Sequence, residues 1–504
     1  MIHLDAGDHH DLSKRLMSRS PDPHKKPACF QVVEGSPGGR VLTGRRAMAF
    51  PWKKGAATAA IPILMLADML LRHRFSVALL AGGCLIFLLM QHRQAAAGVR
   101  RASIALTSLT VLLLPLIASP VKALESGVRI GGMIASLLIS VSLLSRASMR
   151  VPRMRKVVAD LFALPSSQRP LALGIAAQFL GGFLGLAGLT MMMEVAAQRD
   201  GVVKTDQIAD FSAISRGYAA LSLWSPMYSN MSIVLALYGG IGWTEVLPYA
   251  FVISTLFIGL GALLEKAKRR GEMPREPQAT SIVPLLREGL PIMAVMLCFV
   301  ALMVLTSNRL NLSISAVIIF GAPAVAWLLN VLHTSDGTRG WEAGSRQLGR
   351  DLLGQSAMAG EVMLFLASGC AGTVFSQALP VSWSAAVAQM TGGSSYLSCL
   401  LVIVAIVLLS GTAIHPMLSA ILVGSSLSPM LLNLPSLVHV CAVLVGWGLA
   451  IIVTPFSVVS LMAARFSGIP ILIISLRANL AFVLVSMGGA ALVLGSATWL
   501  LQEH

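Results

Sequence analysis

From residue 55 to residue 501 one apolar window follows another, each about the 20 residues that an α-helix needs to cross a bilayer. Runs such as 401–409, 471–476 and 481–485 contain no charged side chain and lie too close together for helices with a solvated face. A soluble domain is roughly half apolar and a quarter charged. Here the hydrophobic share is 56%, the charged share 12% and the mean hydropathy +0.78. That much apolar surface has no place inside a soluble fold of 504 residues. The fold class that follows is an all-α polytopic membrane protein, with the lipid bilayer as its first partner.

The formal charge of +16 raises the question of nucleic acid. The basic residues, however, sit between apolar segments rather than along one face, which is the pattern of the positive-inside bias. Nucleic acid is therefore not an expected partner. Five of the six cysteines (Cys84, Cys298, Cys370, Cys399, Cys441) lie inside apolar segments and none forms a C-x-x-C, so they read as small hydrophobes. Residues 1–54 are polar and basic, with His9-His10, Lys25-Lys26 and a Gly/Pro run at 35–39. They read as a disordered cytoplasmic tail without a removable signal peptide.

Hydropathy places helices at 55–71, 75–91, 102–118 and 126–145. The basic stretch 146–169 alternates Arg150, Arg153, Arg155 and Lys156 with Val157, Val158, Leu161 and Phe162, as a helix lying on the membrane surface does. Apolar blocks follow at 171–198, 208–240 and 246–265, then the basic run 266–275. The second half supplies helices at 285–305, 312–332 and 355–379, a polar loop at 333–352, and blocks at 394–430, 437–465 and 471–498. The expected domains are the tail 1–54, a first membrane helix 55–74 and two transporter repeats, 75–276 and 277–504.

Arg45, Arg46, Lys53 and Lys54 put the N-terminus in the cytoplasm of a cell whose inner (plasma) membrane holds the protein. The later basic loops alternate correctly only if 171–198 enters and leaves on one side. That block becomes a re-entrant hairpin turning at its central glycines, and 394–430 becomes a second one from the opposite side. Arg72-His73-Arg74 is the discordant spot, falling outside. The count is about eleven transmembrane helices plus two re-entrant helical hairpins, in two inverted-topology repeats, with the C-terminus outside.

Two breaks carry the most information. Ser225-Pro226-Met227-Tyr228 and Thr454-Pro455-Phe456-Ser457 each interrupt an apolar block, and each follows a hairpin candidate. Proline removes a backbone donor and clashes with the preceding turn. Freed polar groups at membrane depth are tolerated only inside protein or around a wet cavity. Paired interruptions in two halves of a chain are where a secondary transporter holds its substrate. A plain proline kink is the alternative for each break alone.

The order of span, surface helix, hairpin, broken helix and span, duplicated in opposite senses, resembles the ion transporter superfamily, which includes divalent anion–sodium symporters, arsenite pumps and C4-dicarboxylate carriers. Leu409-Ser410-Gly411-Thr412-Ala413-Ile414-His415-Pro416 is similar to the outer hairpin of that group. The resemblance covers about 75–498 as architecture. The Ser-Asn-Thr hairpin signature of the sodium–dicarboxylate branch is absent, the tips here reading Gly181-Gly182-Phe183-Leu184-Gly185 and Ser410-Gly411-Thr412. The resemblance further implies a homodimer.

The candidate substrate-binding residues are Ser225, Pro226, Ser229 and Asn230 at the first break, Gly411 and Thr412 at the second hairpin tip, and Thr454, Pro455 and Ser457 at the second break. Hydrogen bonding to neighbouring helix backbone is the structural alternative for the hydroxyls. His415 and Glu361 are the candidate coupling groups, because ionisable side chains in apolar blocks tend to be functional. Glu194 reads as interfacial, Arg216 and Arg477 as snorkelling side chains or substrate counter-ions, and Asp68 as a surface partner of Arg72. No P-loop, G-x-S-x-G or H-E-x-x-H is present, so no enzyme activity and no cofactor is expected beyond a coupling H+ or Na+. The expected function is secondary active transport of a small anionic solute by alternating access. The rival is a non-transporting membrane scaffold or subunit of an envelope assembly, docked through residues 1–54.

Overall fold

In hydrocarbon each peptide group must find its partner within the protein, and a helix does this locally. Every element among the described residues of the computed structural model is accordingly helical. The described residues are 51–71, 73–92, 95, 97–199, 201–238, 240–269, 282–333, 340–412 and 414–502. The tail up to residue 50, Arg72, Arg93 and the basic run from residue 270 onward lie outside them.

The first helix, α1, spans Pro51–Leu71, so the last four residues assigned to the tail are already helical. Next come α2 (Arg74–Gln91) and α3 (Ala97–Leu113). The third helix sits earlier than the expected 102–118 because Pro115 ends it in a 3-10 turn, Leu114–Leu116. Helix α4 (Pro120–Met149) is followed by the expected surface helix α5 (Pro152–Phe162).

Helix α6 (Arg169–Ala197) is long enough on paper to cross a membrane, yet Gly185 sits at φ 54° and ψ −137° inside it. Such a backbone suits glycine and almost nothing else. A Cβ placed on Gly188 would lie 2.8 Å from the Leu180 carbonyl, eight residues back, so the chain turns on itself. The segment is a hairpin of two short arms, as the loop charges require. Helices α7 (Lys204–Trp224) and α8 (Ser229–Leu237) form the first broken helix, and α9 (Trp243–Lys268) closes the first run.

The second half contains α10 (Ile282–Leu310), α11 (Ile314–His333) and α12 (Gly340–Leu353). The last of these corrects the expected polar loop 333–352. Glu342, Arg346 and Arg350 share one face of an amphipathic helix, and the buried Asp351 anchors it where Arg150 binds Asp351 at 2.6 Å and Asn330 at 2.8 Å. Then come α13 (Ala359–Ala378) and a short helix α14 (Val381–Gln389), which hydropathy left as a connection. The second hairpin is α15 (Ser395–Gly411) and α16 (Pro416–Ser426). The second broken helix is α17 (Ser436–Val453) and α18 (Val458–Ser467). A π-turn, Ile473–Arg477, leads into α19 (Ala478–Gln502). Long helix, short helix, hairpin, broken helix and long helix thus occur twice in order, as α4–α9 and as α13–α19.

Ten helices among the described residues are long and apolar enough to cross a membrane, the first hairpin among them. The apolar window within 436–467 has 94% of its residues buried and forms the centre, whereas the apolar windows of α3 and α10 have 11% and 17% buried and face outward. Leu112 and Val295, exposed at 73% and 67%, suit lipid and not water. At one edge of the bundle both feet of the first hairpin are tied to one carboxylate. Asp210 on α7 accepts from Arg169 at 2.8 Å and from Arg199 at 2.7 Å, and is 2% exposed. Asp210→Ala removes this clamp and leaves the buried Arg169 guanidinium with Asp206 at 3.8 Å and the Leu164 carbonyl at 3.4 Å. A loss of about 3 kcal/mol is expected, read as a lower thermal unfolding midpoint in detergent. Glu194→Ala, at an exposed side chain on the same hairpin, leaves the midpoint unchanged.

Candidate functional site

Each proline break frees backbone groups, and side chains at each break tie it to its surroundings. At the first, Ser225 takes an extended conformation (φ −71°, ψ 122°) and its hydroxyl donates to the Gly182 carbonyl of the first hairpin at 3.0 Å. The Trp224 carbonyl accepts from the Trp243 indole at 2.7 Å. At the second, Thr454 is likewise extended (φ −80°, ψ 136°) and its hydroxyl donates to the Ser410 carbonyl of the second hairpin at 2.8 Å. So in both halves the residue before the proline fastens its broken helix to the hairpin just before it in sequence.

The restarted helices differ. At α18 the Ser457 hydroxyl accepts from the Ser460 amide at 3.0 Å and donates to the Ile451 carbonyl, whose own partner Pro455 cannot supply an N–H. That terminus is filled. At α8 the N-cap is Tyr228 and no side chain caps the helix. Asn230, 1% exposed, has no partner for its amide nitrogen. The Tyr228 ring stands edge-on to Tyr218 with centroids 5.3 Å apart, which fixes the uncapped end.

A cavity of about 70 Å³ opens at this place. Leu186 of the first hairpin, Tyr228, Ser229 and Asn230 of the first break, and His415 of the second hairpin line it. Ser457, Val458 and Val459 of the second break, Trp447 and Ile451 of α17, and Glu361, Leu364 and Phe365 of α13 complete the wall. Five of the residues singled out from sequence therefore meet: Ser229, Asn230, Glu361, His415 and Ser457. Ser225 and Thr454 stand behind the wall as fasteners, and Pro226 and Pro455 shape the breaks without lining it. Gly411 and Thr412 are exposed at the tip of α15 and do not reach the cavity.

Among the described residues the wall contains neither lysine nor arginine. Its acid is Glu361, in the first turn of α13, with Oε2 buried and unpartnered. His415 caps α16: Nδ1 accepts from the Met417 amide at 3.2 Å, so the neutral ring making this bond carries its proton on Nε2. Its ring is edge-on to Phe365, 6.3 Å away. The starts of α8, α16 and α18 all contribute to the wall, and each brings the positive end of a helix dipole.

Other expectations resolve differently. Arg216 neither snorkels nor faces the cavity. It is 3% exposed and holds Glu265 at 2.9 Å, Asn479 at 2.9 Å and the Ala478 carbonyl at 2.8 Å. Arg477 is exposed. Asp68 is not a surface residue but 2% exposed, paired with Arg129 at 2.9 Å. Trp447 and Tyr228 were missed by sequence reasoning, although Gly446-Trp447-Gly448 marks a bulky ring set between two close helix contacts.

No family profile and no curated protein matches the chain. Among solved structures, it is similar to the Alcanivorax borkumensis YdaH transporter, whose crystal structure is described as revealing an unusual topology. The identity is 16% and the TM-score 0.54, over 78% of this chain and 98% of that one. At this identity the likeness is one of fold alone.

The two fasteners make a paired prediction. Ser225→Ala and Thr454→Ala each leave a hairpin carbonyl without its hydroxyl and lower stability by about 1 kcal/mol. The double variant loses roughly the sum, since the bonds lie in different halves. Denaturant titration in mixed micelles measures both. No change in either single variant contradicts the fastening role.

Proposed function

We propose that the protein is a secondary active transporter of a small anionic solute, held in the cavity between the hairpin tips and broken helices and moved by alternating access. The observation that carries this reading is the meeting of both hairpins and both breaks around one small cavity. Paired interruptions of this kind mark the substrate site of transporters built from inverted repeats. The element order repeated in α4–α9 and α13–α19, taken with the positions of the Lys/Arg loops, supports two repeats of inverted topology. The likeness of fold to the YdaH transporter supports a transporter. On this reading the Lys/Arg loops put the protein in the inner membrane with the N-terminus in the cytoplasm and the C-terminus outside, and the sequence resemblance to the ion transporter superfamily carries the homodimer.

The electrostatics of the cavity favour an anion that travels with a coupling ion. Three helix N-termini and the free Asn230 amide attract negative charge. Glu361 repels it: two like charges about 4 Å apart in such surroundings repel by about 4 kcal/mol. With no lysine or arginine among the described residues of the wall, the solute binds well only once Glu361 is neutralised, by a proton in the first instance or by Na+. Each solute then crosses with a compensating cation. His415, with its Nε2 proton, is placed to donate to the anion.

Purified protein in liposomes tests this with labelled sulfate, phosphate and succinate under an imposed proton or sodium gradient. We expect concentrative uptake of at least one of them. Asn230→Ala should lower uptake at least tenfold, and Glu361→Gln should abolish the dependence on the driving gradient while sparing solute exchange. Gradient-independent uptake in the wild type, or uptake unchanged in both variants, contradicts the reading.

A further inference from the structure

A second, far larger cavity of about 740 Å³ lies among α1, α4, the later turns of α8, α9 and the α10–α11 turn. The half-helix α8 contributes to both walls. Ser229 and Asn230 face the small cavity, whereas Ser232, Leu235 and Ala236 line the large one. Ser232 accepts from the Ser315 hydroxyl of α11 at 2.9 Å, which ties α8 to α11.

The charge of this vestibule is arranged in one sense. Among its described lining residues the ionised side chains are Arg129 and Asp68. Asp68 is withdrawn: its side chain is 2% exposed and accepts from Arg129 at 2.9 Å and from the Ser76 hydroxyl at 2.7 Å. The Arg129 side chain is 40% exposed, so the vestibule meets the cation and not the anion. The long helices α9 and α11 both begin on the wall, at Trp243 and Ile314; Glu245 accepts from the Gly242 amide at 2.9 Å at the first and Ser313 accepts from the Ala316 amide at 3.3 Å at the second, so the attraction for an anion rests on Arg129. Asn308 and Asn311 add amides, the latter in a left-handed conformation (φ 54°) at the α10–α11 turn.

We propose that this vestibule is an anion-docking site centred on Arg129, which takes a free carboxylate or inorganic oxyanion before it passes α8 to the small cavity. The second half of that statement rests on the transport reading. The docking itself does not. Asp68 is a positioning residue, holding the guanidinium so that its remaining N–H groups and charge face the open space. Volume assigns the two sites different tasks: the vestibule captures by charge, and the small cavity selects by size.

Charged thiol reagents test the docking without turnover. In a Cys29→Ser/Cys298→Ser background, Thr244→Cys places a thiol at the start of α9 on the vestibule wall, and Ser382→Cys on α14 serves as an exposed reference. The probes are a sulfonate-bearing and a trimethylammonium-bearing methanethiosulfonate. The sulfonate-to-ammonium rate ratio at position 244 should exceed that at position 382 by about tenfold. Arg129→Gln, which leaves the Asp68 charge, should push the ratio below the reference. Because that variant strands a buried carboxylate, Asp68→Asn/Arg129→Gln is the companion, with a ratio equal to the reference. Arg129→Lys should keep most of the preference. Inorganic phosphate or sulfate should slow the sulfonate reagent in detergent only when Arg129 is present. A ratio unchanged in the double variant overturns the proposal. So does protection by phosphatidylglycerol nanodiscs alone, which would assign the site to lipid headgroups.

Discussion

A peptide group that leaves a helix inside a membrane must be bonded by something other than water, and the centre of this protein is organised by that requirement. Pro226 and Pro455 each remove a donor from a helix buried in the bundle. Ser225 and Thr454 answer with hydroxyls that reach the hairpin carbonyls Gly182 O and Ser410 O, and so couple each hairpin to its broken helix. At the second break Ser457 completes the local accounting. At the first break it stays incomplete, with α8 uncapped and the Asn230 amide free beside the cavity. The place where backbone bonding is unfinished is the place where a ligand has something to offer.

Charge follows a similar logic. Strong ion pairs stand away from the small cavity: Asp210 with Arg169 and Arg199 at the hairpin feet, Arg216 with Glu265 between α7 and α9, and Arg150 with Asp351 at the surface helix α12. These pairs tie elements together and leave no arginine or lysine among the described residues of the small cavity. Under the transport proposal Glu361 is then the charge an anion meets, and its neutralisation would link solute to coupling ion. Arg129 stands in the wider space that α8 also lines.

Much of this was legible in the sequence because membrane helices announce themselves by length and hydropathy. Proline breaks do so as well, since no other residue interrupts a helix so reliably. The hairpin at Gly185 followed from charge alternation, and the backbone at that residue supplies its cause. What stayed hidden depends on pairings between distant segments. Nothing local to Asp68 points to Arg129, 61 residues away, rather than to its neighbour Arg72. Nothing near Arg216 points to Asn479, 263 residues away. The helix α12 was hidden because amphipathic and polar sequences share a composition, and only the packing of Asp351 against Arg150 distinguishes them. Gly411 and Thr412 drew notice at a hairpin tip, yet the tip's turn carries His415 to the cavity and leaves them exposed.

The central claim is that two apolar segments enter the membrane and return, from opposite faces. Cysteines introduced one at a time at the feet of each hairpin test it directly in a Cys29→Ser/Cys298→Ser background, using a membrane-impermeant maleimide on sealed right-side-out and inverted vesicles. Ser167→Cys and Val203→Cys flank the first hairpin, and Gln389→Cys and Met430→Cys flank the second, all at exposed positions. The account predicts that 167 and 203 label from one side only, and that 389 and 430 label only from the other. Labelling of either pair from two different sides would contradict the hairpins, and with them the site they enclose.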